Sequence, residues 1–380
     1  MMTRLIEILI ALAIVTVLFL LVGLALPSHR HLTKEIETNR KMTIVYDTLN
    51  SPTRFKDWNP LVLRDPGMAL KQSGPKSGVG ARLDYDSDKP QLGQGSWEIT
   101  ESQPGQGVAY AVTNPERGSD KRMTFRLEPT GRGGRNVKIT QVYDVDYGWN
   151  LLGRYAGLYV GRHVGDDMKL GLERLSNMLT SVPNVDYNAQ GTGISNIGVA
   201  DVPATNLLVV SAGSIERDDD KLQESMRSNM EWINRNLSAN GLVAAGPIRI
   251  ITDEMGRENY TFDVALPVRK AGAASAKPAD GESEATESPA PVADTASAEP
   301  LTGLKLTGPV KYVQAPAGRA VVADYDGYWA GLETVHNAMR AWALTQGHEP
   351  TDRPYDSYTK GIDPAFTEDG KFQAYWGLKQ

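Results

Sequence analysis

Val137-Lys-Ile-Thr-Gln-Val-Tyr143 alternates apolar and polar side chains, and it is the last of five such runs along the chain. The others are Ala81-Arg-Leu-Asp-Tyr85, Gly95-Ser-Trp-Glu-Ile-Thr100, Val108-Ala-Tyr-Ala-Val112 and Met123-Thr-Phe-Arg-Leu127. Successive side chains of a strand point to opposite faces, so alternation of period two reads as a sheet with one covered and one wet face. Turn clusters such as Gly131-Arg-Gly-Gly134 separate the runs, which makes the sheet an antiparallel meander. After Leu151 the period changes. Leu152, Tyr155, Leu158 and Tyr159, then Met168, Leu172, Leu175, Met178 and Leu179, recur at three-to-four spacing to about Thr180. That predicts a long amphipathic helix closing on the covered face.

Working outward toward the N-terminus, Val45, Tyr46 and Leu49 fall at helical spacing, Pro52 marks a turn, and Trp58 with Pro60 stops a second short helical segment. Ser28 to about Lys41 is polar and reads as a spacer running into a first strand. Before it, Ile8 to Leu26 is nineteen residues with Thr16 as the one polar side chain. As a helix it reaches about 28 Å, close to the hydrocarbon thickness of a bilayer. A core helix would carry polar residues on an outer face, and a signal peptide would have a shorter apolar run ending at a small-x-small site. The run ends instead in Leu24-Ala25-Leu26-Pro27, so it reads as a retained transmembrane anchor over residues 8–26.

These residues carry a resemblance. Val45-Tyr46-x-x-Leu49, Pro52, Trp58-Asn-Pro60, Gly74-Pro-Lys-Ser-Gly-Val-Gly-Ala81, Gly95-x-x-x-Ile99, Glu101-x-x-Pro104 and the closing helix, in that order, resemble the START-like SRPBCC superfamily, often labelled polyketide cyclase. The resemblance implies a helix-grip domain over residues 34–182, with an apolar cavity between sheet and helix and a lipophilic ligand in it. Trp58, Trp97 and Tyr159 are its candidate lining residues, with Tyr110, Phe125 and Tyr143 weighed beside them.

Residues 183–205 contain Gly, Asn and Pro and read as a linker. Beyond it an order of elements repeats. Leu207-Leu-Val-Val-Ser211 is a strand, Lys221 to Leu237 a helix, and Tyr260-Thr-Phe-Asp-Val-Ala-Leu-Pro267 a closing strand. The second copy has Arg319-Ala-Val-Val-Ala323, a helix from Gly331 to Leu344, and Lys371-Phe-Gln-Ala-Tyr-Trp-Gly-Leu378. Each helix is followed by a glycine, Gly241 or Gly347, and then a proline, Pro247 or Pro354. The unit is strand–helix–strand–strand used twice. Between the copies, Ala271 to Pro300 holds ten Ala, four Pro, six acidic residues and no aromatic. Such a segment cannot offset its ordering entropy by burial and is expected to be a disordered insertion.

The duplicated unit resembles the gyrase-inhibitor-like (GyrI-like) domain, also found as the effector-binding part of AraC-type regulators, over residues 206–380. In that family a Pro-x-Glu-x-Tyr stretch before the last strand supplies an acidic residue to a cleft between the repeats. Pro354-Tyr-Asp-Ser-Tyr358 matches it with Asp356 in place of Glu. The resemblance implies Asp356 as the charged contact for a hydrophobic cation, with Tyr358, Trp376 and Tyr325 as aromatic walls. The expected fold is therefore α+β: a transmembrane helix, a helix-grip antiparallel sheet domain, then a duplicated strand–helix–strand–strand domain.

Composition narrows the chemistry. The formal charge of −6 and the lack of a basic run argue against a nucleic-acid partner, and the chain has no cysteine for disulfides, thiolate catalysis or Cys-ligated metals. The five histidines, 29, 31, 163, 336 and 348, include no i, i+4 pair and no His-Glu-x-x-His, so no metal or other cofactor is expected. Asp166-Asp167 reads as a solvated face, because neighbours on a helix do not share a proton. No Gly-x-Ser-x-Gly elbow, Walker pair or dinucleotide spacing occurs.

The function expected is binding of a small lipophilic or cationic ligand near a bilayer. A cyclase- or hydrolase-like enzyme acting in the START-like cavity is the second reading, and an envelope scaffold with filled pockets the third. Arg30, Lys34, Arg40 and Lys41 after the span place the body in the cytoplasm by the charge rule. Glu35, Glu37 and the Ala/Pro/Glu insertion point instead to the periplasmic face of a bacterial inner membrane, and the side stays open.

Overall fold

The computed structural model describes residues 2–272, 299–351 and 353–379. The chain divides into two compact units, Met1–Asp186 with Thr345–Gly347, and Tyr187–Leu344 with His348–Gln380. Most of the insertion expected over 271–300 lies outside the described residues.

The first unit begins with helix α1 (Met2–Ala25), within which Arg4–Ala25 is long and apolar enough to cross a membrane. Strand β1 (His29–Thr38) follows, then α2 (Met42–Leu49), α3 (Phe55–Trp58) and α4 (Leu61–Arg64). Six further strands are β2 (Ala69–Ser73), β3 (Arg82–Asp86), β4 (Gln94–Gln103), β5 (Gly107–Thr113), β6 (Ser119–Thr130) and β7 (Asn136–Asp146). They form one sheet in the order β1-β7-β6-β5-β4-β3-β2, every pair antiparallel. Helices α5 (Leu151–Ala156) and α6 (Val160–Leu179) close the unit, and Met168, Leu172, Leu175 and Leu179 of α6 are buried. The long helix laid on an antiparallel sheet is a helix-grip arrangement.

Two expectations change here. The first strand expected after a spacer takes up nearly all of the spacer itself: β1 pairs with β7 in unbroken register from His29↔Asp146 to Thr38↔Val137. It is an edge strand with one polar face, so its composition looks like a linker while its backbone completes the sheet. The single long helix is two, because Gly157 to Tyr159 turn the chain between α5 and α6.

The second unit contains β8 (Ile194–Val202), β9 (Thr205–Glu216), α7 (Asp219–Asn240), β10 (Leu242–Ala244), β11 (Ile248–Met255) and β12 (Asn259–Lys270). After the insertion come β13 (Lys311–Ala315), β14 (Gly318–Asp326), α8 (Leu332–Thr345), β15 (Tyr355–Tyr358), α9 (Ile362–Ala365) and β16 (Lys371–Gly377). The sheet order is β13-β9-β12-β11-β15-β16-β14-β8, with β10 paired to β12. The order strand–helix–strand–strand thus occurs twice, with β11 and β15 meeting at the centre. Residues 183–205, read as a linker, include β8 and the start of β9. Ile194, Ile197 and Val199 are too sparse among Ser, Asn and Gly to mark β8 in the sequence.

Candidate functional site

In the first unit, five aromatic rings meet edge to face in a closed cycle. Phe55 lies 5.2 Å from Trp97, Trp97 5.6 Å from Tyr110, Tyr110 6.1 Å from Phe125, Phe125 5.8 Å from Trp58, and Trp58 5.7 Å from Phe55. Such offset and T-shaped contacts each add about 0.5–1.5 kcal/mol beyond the burial of the rings. Helix α3 supplies Phe55 and Trp58, and inward positions of β4, β5 and β6 supply the others. The Tyr110 hydroxyl is taken up by the carbonyl of Leu49, and burial pushes its ionisation far up.

The two tryptophans of this cycle form the floor of a cavity between the sheet and α6, with about 90 Å³ open to the centre of a water-sized sphere. That is several times what one ordered water needs. Met123, Gln141 and Tyr143 from the sheet and Met168 and Gly171 from α6 line the rest of the interior. Gly171 allows α6 to pack closely on Pro60, since a Cβ there would lie 3.2 Å from Pro60 Cδ. Two buried polar atoms in the lining lack a partner, the indole N–H of Trp58 and the Oε1 of Gln141; both side chains are 3% exposed. The Gln141 amide nitrogen meets Met123 Sδ at 3.1 Å.

The rim is charged. Arg64 Nη2 donates to both carboxylate oxygens of Asp167 at 2.6 Å, and Glu116 and Asn114 belong to the same lining. Desolvation raises the Asp167 carboxyl above the usual carboxylate range, and the Arg64 guanidinium offsets part of that. Burial, aided by Glu116, pushes Tyr85 up to about 12 and Tyr143 further in the same direction. The cavity can therefore accept an apolar ring and offer it one donor and one acceptor, with an ion pair at the entrance.

Of the residues singled out from the sequence, Trp58 and Trp97 line this cavity, whereas Tyr159 does not. Tyr159 precedes the first turn of α6 and is 62% exposed, because the break between α5 and α6 turns it out of the helix face. Asp167, read from the sequence as part of a solvated face, is partly buried at the rim, while Asp166 stays exposed. Arg64, Glu116 and Gln141 were not anticipated. Gln141 had a signal, since it occupies an inward position of the alternating run between Ile139 and Tyr143.

In the second unit, Asp356 is wholly buried on β15, and His336 Nε2 of α8 lies 2.9 and 3.1 Å from its two oxygens. The carboxylate expected to meet a cation already has a protein partner, since the stretch before the last strand is itself an interior strand between β11 and β16. Tyr358 is buried with its hydroxyl unpartnered. Trp376 is half-buried, donates from Nε1 to the Thr351 carbonyl and sets its ring 6.0 Å from that of His336. Tyr325 stacks on Phe372 at 5.6 Å and donates its hydroxyl to the carbonyl of Tyr328 at 3.0 Å, so it is a packing residue. Among the described residues no cluster of three or more His, Asp or Glu side chains could hold a metal ion.

Residues 29–179 match the family described as polyketide cyclase / dehydrase and lipid transport, which spans the first sheet and α6. No curated protein matches the chain significantly. Similar solved structures include a protein from Chromobacterium violaceum, 14% identical with TM-score 0.29, over 39% of this chain and 96% of that one. Norcoclaurine synthase from Thalictrum flavum, solved with dopamine and hydroxybenzaldehyde, is 12% identical with TM-score 0.31, over 42% and 90%. The EcmrR–DNA complex is 15% identical with TM-score 0.36, over 61% and 73%.

Proposed function

We propose that residues 29–179 bind a small, mainly apolar molecule bearing a hydroxyl or similar group, and that α1 holds this module at a membrane. The observation that carries the reading is the pair of unpartnered polar atoms, Trp58 N–H and Gln141 Oε1, in a cavity whose interior is largely aromatic and apolar and whose rim is charged. A buried donor or acceptor without a partner costs about 1–3 kcal/mol, and a ligand that supplies the partner recovers it. The family match over the same residues supports the same reading. The second unit is read as a GyrI-like module on its twice-used element order, with the buried His336–Asp356 pair in place of an open acidic contact.

Phenol and toluene test the cavity. Each is titrated into the full chain in detergent micelles, and binding is followed by calorimetry. Phenol should bind at least about tenfold tighter than toluene, and Trp58→Phe should narrow the gap. No saturable phenol binding, or a gap unchanged by the substitution, would overturn the assignment. A second reading, acid–base catalysis in the same cavity, draws on the raised Asp167 carboxyl beside Glu116 and Tyr143. It requires turnover of a bound carbonyl or phenolic compound that Asp167→Asn abolishes without loss of binding.

A further inference from the structure

The segment around α5 leaves its large side chains bare. Outside α1, eight large apolar side chains are exposed among the described residues, and four of them, Trp149, Leu152, Leu158 and Tyr159, fall within residues 149–159. Trp149 is 83% exposed. The same segment grips the end of α1. Arg154, itself buried, directs Nη1 to the carbonyls of Gly23, Leu24 and Leu26 at 3.4, 3.0 and 3.2 Å. Its Nε and Nη2 donate to the carbonyl of Gly148 at 2.9 and 2.6 Å. The last carbonyls of a helix have no partner within it and form the negative end of its dipole, so a buried guanidinium there fixes both helices. Tyr155 stacks on Phe19 with ring centroids 4.5 Å apart and donates its hydroxyl to the Phe19 carbonyl at 2.7 Å. Gly23 permits the approach, since a Cβ there would lie 3.2 Å from the Tyr155 ring and 3.3 Å from Leu151.

The depth of this contact decides what covers the bare face. Arg4–Ala25 is 22 residues. Such a helix is about 33 Å long, against a hydrocarbon thickness of about 30 Å. Phe19 stands about 9 Å in from the end of that helix. A ring stacked on Phe19 is then below the surface of any bilayer that α1 spans. We propose that residues 149–159 lie in the membrane interface, with lipid against Trp149, Leu152, Leu158 and Tyr159, so that the first unit rests on the bilayer at two points. The inference depends on α1 crossing a membrane. Trp and Tyr concentrate at the headgroup level, where an apolar ring and a polar tip are both served. The turn between β6 and β7, residues 131–135, lies at the other end of β7, about 36 Å away along an eleven-residue strand.

The chain has no cysteine, so single-cysteine variants can be labelled cleanly with an environment-sensitive nitrobenzoxadiazole dye. Val15→Cys, Leu152→Cys and Arg132→Cys of the full chain are placed in phosphatidylcholine–phosphatidylglycerol vesicles. Quenching is measured with acyl-chain nitroxide lipids and with aqueous iodide. The label at 152 should be quenched by lipid at least about threefold more than the label at 132, and protected from iodide. A label at 152 that behaves like the one at 132, while that at 15 is lipid-quenched, would sink the interface proposal alone. A label at 15 open to iodide and untouched by lipid would remove the membrane reading and the proposal with it. As a second measurement without labels, brominated lipids should quench part of the tryptophan emission, and Trp149→Phe should abolish that part. Equal quenching in the parent and in Trp149→Phe would count against the proposal.

Discussion

Gln141 sits at an inward position of β7 with an acceptor that nothing meets, so its amide is a cost to the folded state that ligand binding would offset. Gln141→Met, close in volume, should raise the stability of the first unit by about 1 kcal/mol in urea denaturation while weakening phenol binding. A loss of stability would mean that the amide contact to Met123 outweighs the bare oxygen. Asp167 makes a prediction about pH. Its carboxyl is raised above the ordinary 3.8, chiefly by desolvation, so the folded state holds the proton more tightly than the unfolded chain does. That contribution to stability is full below about pH 3.8 and is lost as the pH rises through the folded value. At neutral pH the site carries the form it disfavours. Asp167→Asn should therefore melt above the parent at pH 7, and the difference should shrink toward pH 3.5; a difference that grows on acidification would show that the Arg64 pair dominates. How these residues read in the sequence follows from their physics. Trp58 and Trp97 follow from the alternation and turn pattern around them, and the same alternation puts Gln141 on the inward face, although its polar side chain gives no sign of a site there. Arg64 and Asp167 come from α4 and α6, remote in sequence, and no local pattern says that two charged residues 103 apart will meet.

At the level of elements, periodicity identifies strands and helices that carry their own apolar stripe, such as β7 and α7, but understates the length of β1 and gives no sign of β8. Strands β1 and β8 are edges of their sheets, and each takes its structure from the strand beside it. The same logic explains Asp356. The Pro-Tyr-Asp-Ser-Tyr run, expected to line an open cleft, is hydrogen-bonded from both sides by β11 and β16, and α8 brings His336 over it. This pair ties helix to sheet in the second half of that unit. His336→Phe leaves the Asp356 carboxylate buried and alone, and should cost about 3–5 kcal/mol in chemical denaturation. Changing both, His336→Phe with Asp356→Leu, removes the stranded charge and should recover more than half of that loss. Additive losses in the double variant would show that the pair is not coupled.

Across the whole molecule, the second unit is laced together by an exchange that no run of its sequence announces. Strand β8, which precedes the first strand–helix–strand–strand unit, pairs with β14 of the second, while β13, which precedes the second, pairs with β9 of the first. Each half thus borrows its outer strand from the other, so the halves are expected to unfold together. Tyrosines buried in both units supply the last test. Burial pushes Tyr85 of the first unit and Tyr375 of the second each up to about 12, from an ordinary 10.0, raises Tyr260 further, and raises Tyr358 well above its ordinary value. A tyrosine raised in the folded state binds its proton more tightly there than in the unfolded chain. Its contribution is complete below about pH 10 and is lost as the pH climbs toward 12. Tyr85 and Tyr375 each give up that contribution as they ionise. Stability measured by urea denaturation should therefore fall steeply between pH 10 and 12. Absorbance at 295 nm should show the buried tyrosines ionising only as the fold is lost. Tyr85→Phe and Tyr375→Phe should each flatten the pH dependence over that window. A chain whose tyrosines all ionise near pH 10 without unfolding would contradict the burial on which both cores rest.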